Sequence, residues 1–155
     1  MRFNEIELYI RPGQPGLYEI NTGDIPLKVG ISTDLRRRLI QHRNSQQNGL
    51  KLVPGGSWDN PADVLSKRSI LAKHLFFDFK IAGDYDLQAE HGRRRFLSEC
   101  CSIEIVTTRT KAEARLLEKE LELRGGFRYA GKVLIRKPEV VEPASAVLPA
   151  DLLIP

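Results

Sequence analysis

The chain has 155 residues, the size of one domain or one domain with an appendage. Its 41% hydrophobic and 28% charged residues exclude a wholly disordered chain, and no apolar run approaches the ~20 residues of a membrane helix. The net charge of +4 (pI 9.2) lies in residues 1–137, since only Glu139, Glu142 and Asp151 are charged after Lys137, and such a basic body suits a polyanionic partner.

In chain order, residues 5–10 alternate apolar and polar side chains and predict a short strand, broken by the turn cluster Arg11-Pro12-Gly13-Gln14-Pro15-Gly16. Residues 17–20 and 27–31 read as two strands of a hairpin turning through Asn21-Thr22-Gly23-Asp24. Ser32, Thr33 and Asp34 offer caps for a helix reaching Arg43, with Leu35 and Leu39 on one face. Residues 44–60 are polar and glycine-rich and read as a loop. Pro61 then opens a helix to about Leu75, Phe76 to Phe79 are compatible with helix or strand, and residues 88–100 predict a further helix.

Residues 103–106 are the clearest later strand. Thr110 with Glu113 has the pattern of a capping box, opening a helix to about Leu123 that Gly125-Gly126 ends, and residues 132–135 read as a last strand. Beyond Pro138 the prolines at 143, 149 and 155 forbid a continuous helix and predict an extended tail. The fold class is α+β. A small, mainly antiparallel three-stranded central sheet is flanked by helices, with a helical insertion over about 44–100 between its second and third strands.

The cysteines, Cys100 and Cys101, are neighbours and read as reduced thiols. His42, His74 and His91 lack the short spacing of a zinc site. Residues 1–9 carry no secretion-signal core, so a cytoplasmic protein without a membrane partner is expected.

The hairpin carries the chemical signal. With its turn centred on Gly23, Tyr18 faces Lys28 and Gly16 faces Gly30 on the same side, setting a phenol beside an ammonium next to two missing side chains. Glycine weakens a strand unless something must come close to the backbone, as a phosphodiester would. The following helix adds Arg36, Arg37, Arg38 and His42, with Arg38 and His42 one turn apart on one face. Ala114, Glu118 and Leu121 share a face of the late helix, which aims Glu118 inward or at a rim. Taken singly, each of these residues has a plain structural reading: a strand aromatic, a solvated strand lysine, a wet helix face, a helix C-terminal histidine, and a surface partner of Arg115. Arg93, Arg94 and Arg95 form a basic run read either as a solvated helix face or as a track for a nucleic-acid backbone.

Gly16-Leu17-Tyr18, Lys28-Val29-Gly30, the helix Asp34 to His42 and the helix around Glu118 together resemble the GIY-YIG nuclease family, over residues 16–43 and 102–123, about a third of the chain. The resemblance implies a metal-dependent endonuclease acting on DNA, with RNA not excluded, in residues 1–137, and a separate tail over 138–155. It implies Tyr18 as general base, Lys28 and Arg38 as the cations that lower its pKa, Arg38 as the phosphate clamp, His42 as an orienting group and Glu118 as ligand to Mg²⁺ or Mn²⁺. Two positions depart from the pattern. Lys28 stands where the second signature usually has Tyr, a change found in some restriction enzymes of the family, and Ala130 follows Tyr129 where an Asn is usual. The alternative is a nucleic-acid-binding protein that keeps the scaffold without cleaving.

Overall fold

The computed structural model describes residues 1–45, 49–66 and 69–138. The extended tail expected from residue 138 onward therefore lies outside the described residues, apart from Pro138, as do residues 67 and 68 of the helix expected over 61–75.

The N-terminal segment is helical, not a strand: a 3-10 turn at Phe3–Glu5 leads into α1 (Ile6–Tyr9). Phe3, Ile6 and Ile10 are the residues it buries, and their spacing of three and four selects a helix, leaving Leu8 and Tyr9 in solvent. β1 (Gly16–Thr22) and β2 (Ile25–Ser32) then form the expected hairpin, closed by the two residues Gly23 and Asp24 with Gly23 at φ 55°.

Its register differs from expectation. Thr22 pairs with Ile25 and Asn21 with Pro26, but Ile20 pairs with Lys28, leaving Leu27 as the spare residue of a bulge. Tyr18 therefore faces Gly30, and Gly16 faces Ser32, while Lys28 faces Ile20. The shorter turn and the spare residue together move the pairing by two positions, which preserves the side of the sheet each residue faces.

α2 (Leu35–Arg43) is capped by Asp34, whose carboxylate accepts the Arg37 N–H at 3.1 Å. The segment read as a loop and then a helix instead makes a small hairpin, β3 (Leu50–Leu52) against β4 (Val64–Ser66), before α3 (Ile70–Phe76) and α4 (Glu90–Cys100). Pro61 starts only a 3-10 turn. The fully buried Val64 packs with Phe76 and Phe77, so tertiary burial overrides helical patterning here. β5 (Cys101–Thr107) and α5 (Lys111–Arg124) complete the fold, with Thr110 capping α5 and Gly125 at φ 73° ending it. The last expected strand does not form. Near it, Arg136 exchanges backbone hydrogen bonds with Phe77 and Phe79 at 2.9 and 2.7 Å, and Leu134 stays exposed.

The central sheet has the order β2-β1-β5 and is antiparallel throughout, as expected. One core joins Tyr18, Ile20 and Ile103 of the sheet with Leu35 and Leu39 of α2, Leu71 and Leu75 of α3, and Phe96 and Leu97 of α4. Each such aliphatic or aromatic side chain contributes about 1.5–3 kcal/mol on full burial. Leu17, on the other side of β1, is buried too, and α5 packs on β1 and β2. Arg128 and Tyr129 donate their backbone N–H groups to Pro26 and Leu27 at 2.9 and 2.8 Å, tying the chain after α5 to the start of β2.

Candidate functional site

β1 carries Tyr18 into the interior, where it is 2% exposed. Its ring lies across Gly30 so closely that a Cβ built there would fall on the phenol hydroxyl and Cζ. Glycine at 30 is thus required by the tyrosine itself, not by a visiting phosphate. The Tyr18 hydroxyl stands 2.8 Å from Nε2 of His42, with the two rings 5.4 Å apart and tilted by 59°.

His42 sits in the last turn of α2 and is buried alongside Leu35 and Leu39. Its other nitrogen, Nδ1, lies 2.9 Å from the hydroxyl of Ser69. Ser69 is the cap of α3, accepting the Ala72 N–H at 3.4 Å. Sequence reasoning missed it because the helix expected from Pro61 ran through this position. The signal was a Ser directly before the apolar pair Ile70-Leu71, a helix-start pattern in its own right.

Arg38, one turn before His42, is half-buried, and its Nη1 donates to Oε1 of Gln41 at 3.2 Å. Lys28 is also half-buried, diagonal to Tyr18 on the same side of the hairpin. Glu118, on α5, is half-buried and is felt electrostatically by both Tyr18 and Lys28. The five residues singled out from the sequence are thus linked pairwise, although they come from β1, β2, α2 and α5. Arg38 acts on Tyr18, Lys28 and His42, Lys28 on His42 and Glu118, and Glu118 on Tyr18.

Burial dominates the electrostatics. It raises the Tyr18 phenol above its ordinary 10.0, against the charge and hydrogen bond of Arg38, while Glu118 adds to the rise. The expectation that cationic neighbours would lower this group is therefore corrected: desolvation of the ring outweighs them. Burial, with Arg38 next, lowers Lys28, and Glu118 and Glu122 oppose the shift. His42 is held well below 6.5 by burial first and then by Arg38 and Lys28, so its ring is neutral at neutral pH. Burial and then the like charge of Glu122 raise Glu118, against Arg115, Lys28 and Lys111.

Glu118 and Glu122 are one turn apart, and their mutual repulsion is what a hard dication would relieve. Mg²⁺ commonly takes only one or two carboxylates and completes its shell with water and phosphate oxygens, so this donor set fits it. Among the described residues no group of three or more His, Cys, Asp or Glu converges, so Glu118 has no all-protein cage around it. Ala130 is exposed and lines a cavity of about 390 Å³ with Lys28, His74, Glu122 and Tyr129. No amide side chain stands at that position.

The basic run of α4 does not present three guanidinium groups outward. Arg93 is 2% exposed, donating to Ser45 Oγ at 2.8 Å and to the Leu87 carbonyl at 3.0 Å, because its position falls on the face of α4 that also buries Phe96 and Leu97. It is a core residue, which corrects its assignment to a nucleic-acid track. Arg94 and Arg95 are exposed but pair with Glu90 and Glu99, each at 3.4 Å, and Arg95 also lies over the Tyr85 ring. On α2, Arg37 is exposed and Arg36 half-exposed.

No protein-family model matches the chain, and searches of curated proteins and of solved structures return no match. No helix among the described residues is long and apolar enough to cross a membrane.

Proposed function

We propose that this chain is a metal-dependent endonuclease that hydrolyses phosphodiester bonds in DNA, in the manner its sequence resembles. The observation that carries the reading is the 2.8 Å contact between the Tyr18 hydroxyl and His42 Nε2, made within reach of Arg38, Lys28 and Glu118. A phenol, a neutral imidazole, two cations and a carboxylate from four elements are the groups that in-line attack on a phosphodiester needs.

Tyr18, as phenolate, takes the proton of the attacking water. Burial keeps the phenolate scarce at neutral pH, so cleavage is expected to rise toward alkaline pH. Arg38 grips the phosphate oxygens with its planar fork, and Lys28 adds a second positive charge beside them. Glu118, helped by Glu122, would hold Mg²⁺ or Mn²⁺. Such an ion, when bound, offsets charge on the leaving oxygen. Arg36 and Arg37 meet the DNA backbone without reading its sequence. A cytoplasmic location is part of the proposal, resting on the free thiols of Cys100 and Cys101.

The test is nicking of supercoiled plasmid with Mg²⁺ or Mn²⁺ and with chelator. Metal-dependent nicking that Tyr18→Phe lowers by about 10²–10⁴-fold, the usual value of a general base, supports the enzyme. Glu118→Gln should remove the metal dependence with it. A second reading, a binding protein without cleavage, is favoured by one observation: Ala130 offers no amide beside Lys28. Salt-sensitive DNA binding with no nicking at any pH would establish it and sink the first.

A further inference from the structure

The Ser69 hydroxyl makes two contacts, and they use it differently. The Ala72 amide can only donate, so at 3.4 Å it occupies a lone pair of the oxygen. His42 Nδ1, at 2.9 Å, can either donate or accept. Ser69 is 2% exposed, and among the described residues Nδ1 is the one acceptor within reach of its proton.

A neutral imidazole carries one N–H, so the chain Ser69–His42–Tyr18 has two wirings. In one, Tyr18 donates to Nε2 and Nδ1–H donates to Ser69. Among the described residues the serine proton then has no acceptor, an arrangement buried polar groups avoid. In the other, Ser69 donates to Nδ1 and Nε2–H points at the Tyr18 oxygen 2.8 Å away. The proton left over is then that of Tyr18, which is equally enclosed but within the electrostatic reach of the Glu118 carboxylate. The nuclease reading supplies its acceptor, the water or phosphate of the site. The doubly protonated ring is opposed by burial, by Arg38 on α2 and by Lys28 on β2.

We infer that Ser69 is a positioning residue that locks His42 in its Nε2–H tautomer and so makes His42 a neutral hydrogen-bond donor aimed at the Tyr18 oxygen. In this arrangement His42 does not receive the tyrosine proton. It steadies the phenolate that forms when that proton leaves toward the site, together with Arg38. The tautomer rests on these hydrogen-bond distances together with the acceptor that the nuclease reading supplies for the Tyr18 proton, and its catalytic consequence rests on that reading.

Nitrogen-15 NMR of the full chain labelled at histidine tests the lock, with the His42 signals identified by their loss in His42→Gln. Wild type is expected to have a proton on Nε2 and a bare Nδ1 at neutral pH. Ser69→Thr, which keeps hydroxyl and helix cap, should preserve that pattern. Ser69→Asp keeps the cap but can only accept, so it should move the proton to Nδ1. A wild-type ring protonated on Nδ1 would overturn the inference, as would an Nε2–H tautomer that persists in Ser69→Asp. In nicking assays Ser69→Ala should fall about tenfold at neutral pH for each unit by which its pH profile moves to alkaline pH, with Ser69→Thr restoring the profile. A rate loss without that displacement would reduce Ser69 to a helix cap. The expected tautomers with no nicking by wild type would uphold the lock and sink the nuclease reading.

Discussion

Replacing Gly30 by alanine tests the central contact of the site without touching a polar group. Gly30 lies in β2 and has no positive φ, so alanine suits its backbone and by propensity alone would add about 0.5–1 kcal/mol. The new methyl, however, would fall on the hydroxyl and Cζ of Tyr18, a side chain fixed on its far side by His42. Overpacking a rigid core typically costs about 1–3 kcal/mol. Moving the phenol away from Nε2 would add to that the cost of an unpaired buried donor. In a Tyr18→Leu background the ring is gone, and the same change should be neutral or stabilising. Urea denaturation of the four proteins of this cycle gives the coupling directly. An equal cost for Gly30→Ala in both backgrounds would refute the placement of the ring over residue 30.

Asp78 takes the Arg128 fork at 2.6 and 3.0 Å and the Tyr129 hydroxyl at 2.8 Å, so Asp78→Asn should cost about 3–5 kcal/mol in a denaturant melt. Burial pushes this carboxyl up, but those partners and the Ile81 amide hold it below 3.8, so its stabilisation should be lost only as pH falls through that lower value. His74, stacked on Tyr129, has its pKa lowered from 6.5 to about 4 by burial and then by Lys28, Arg136 and Lys73. The unfolded chain therefore binds the extra proton, and stability should decline as pH falls from 6.5 to about 4, a slope that His74→Phe should flatten in thermal melts. For DNA binding, Arg37→Ala should reduce the slope of log affinity against log salt by about 0.9. Arg93→Ala should leave that slope alone and instead lower stability by about 1–3 kcal/mol, since Ser45 and Leu87 lose their buried partner.

The β1–β2 hairpin and the helices α2 and α5 were legible because each bears a local signal: a turn through Gly23 and Asp24, Asp34 and Thr110 as caps, Gly125 as a stop. That Arg38 and His42 share one face of α2 was legible from their four-residue spacing, whereas their placement beside Tyr18 was an expectation carried by the family resemblance. What stayed hidden depends on contacts distant in sequence. The β3–β4 pairing joins residues 50–52 to 64–66, and no local pattern separates Val64 in a strand from Val64 in a helix. Arg93 looks like its exposed neighbours until the helix is placed against Ser45. The rise in the Tyr18 pKa reflects how deeply the ring is enclosed, which charge counting along the chain does not contain.

The spare residue at Leu27 has a consequence for how this hairpin tolerates change. It divides the hairpin into an outer tip, whose pairing is set by the turn, and an inner part, whose pairing places Tyr18 over Gly30. Excising the spare Leu27 would leave Lys28 facing Ile20 and Gly30 facing Tyr18, whereas excising a paired residue such as Val29 would set Ile31 in place of Gly30 against Tyr18. Lengthening the tip beyond Asn21 and Pro26 would extend the ribbon without disturbing the pairs nearer its base. Length variation at this hairpin should therefore accumulate at residues 22–25 and be purged at 28–30.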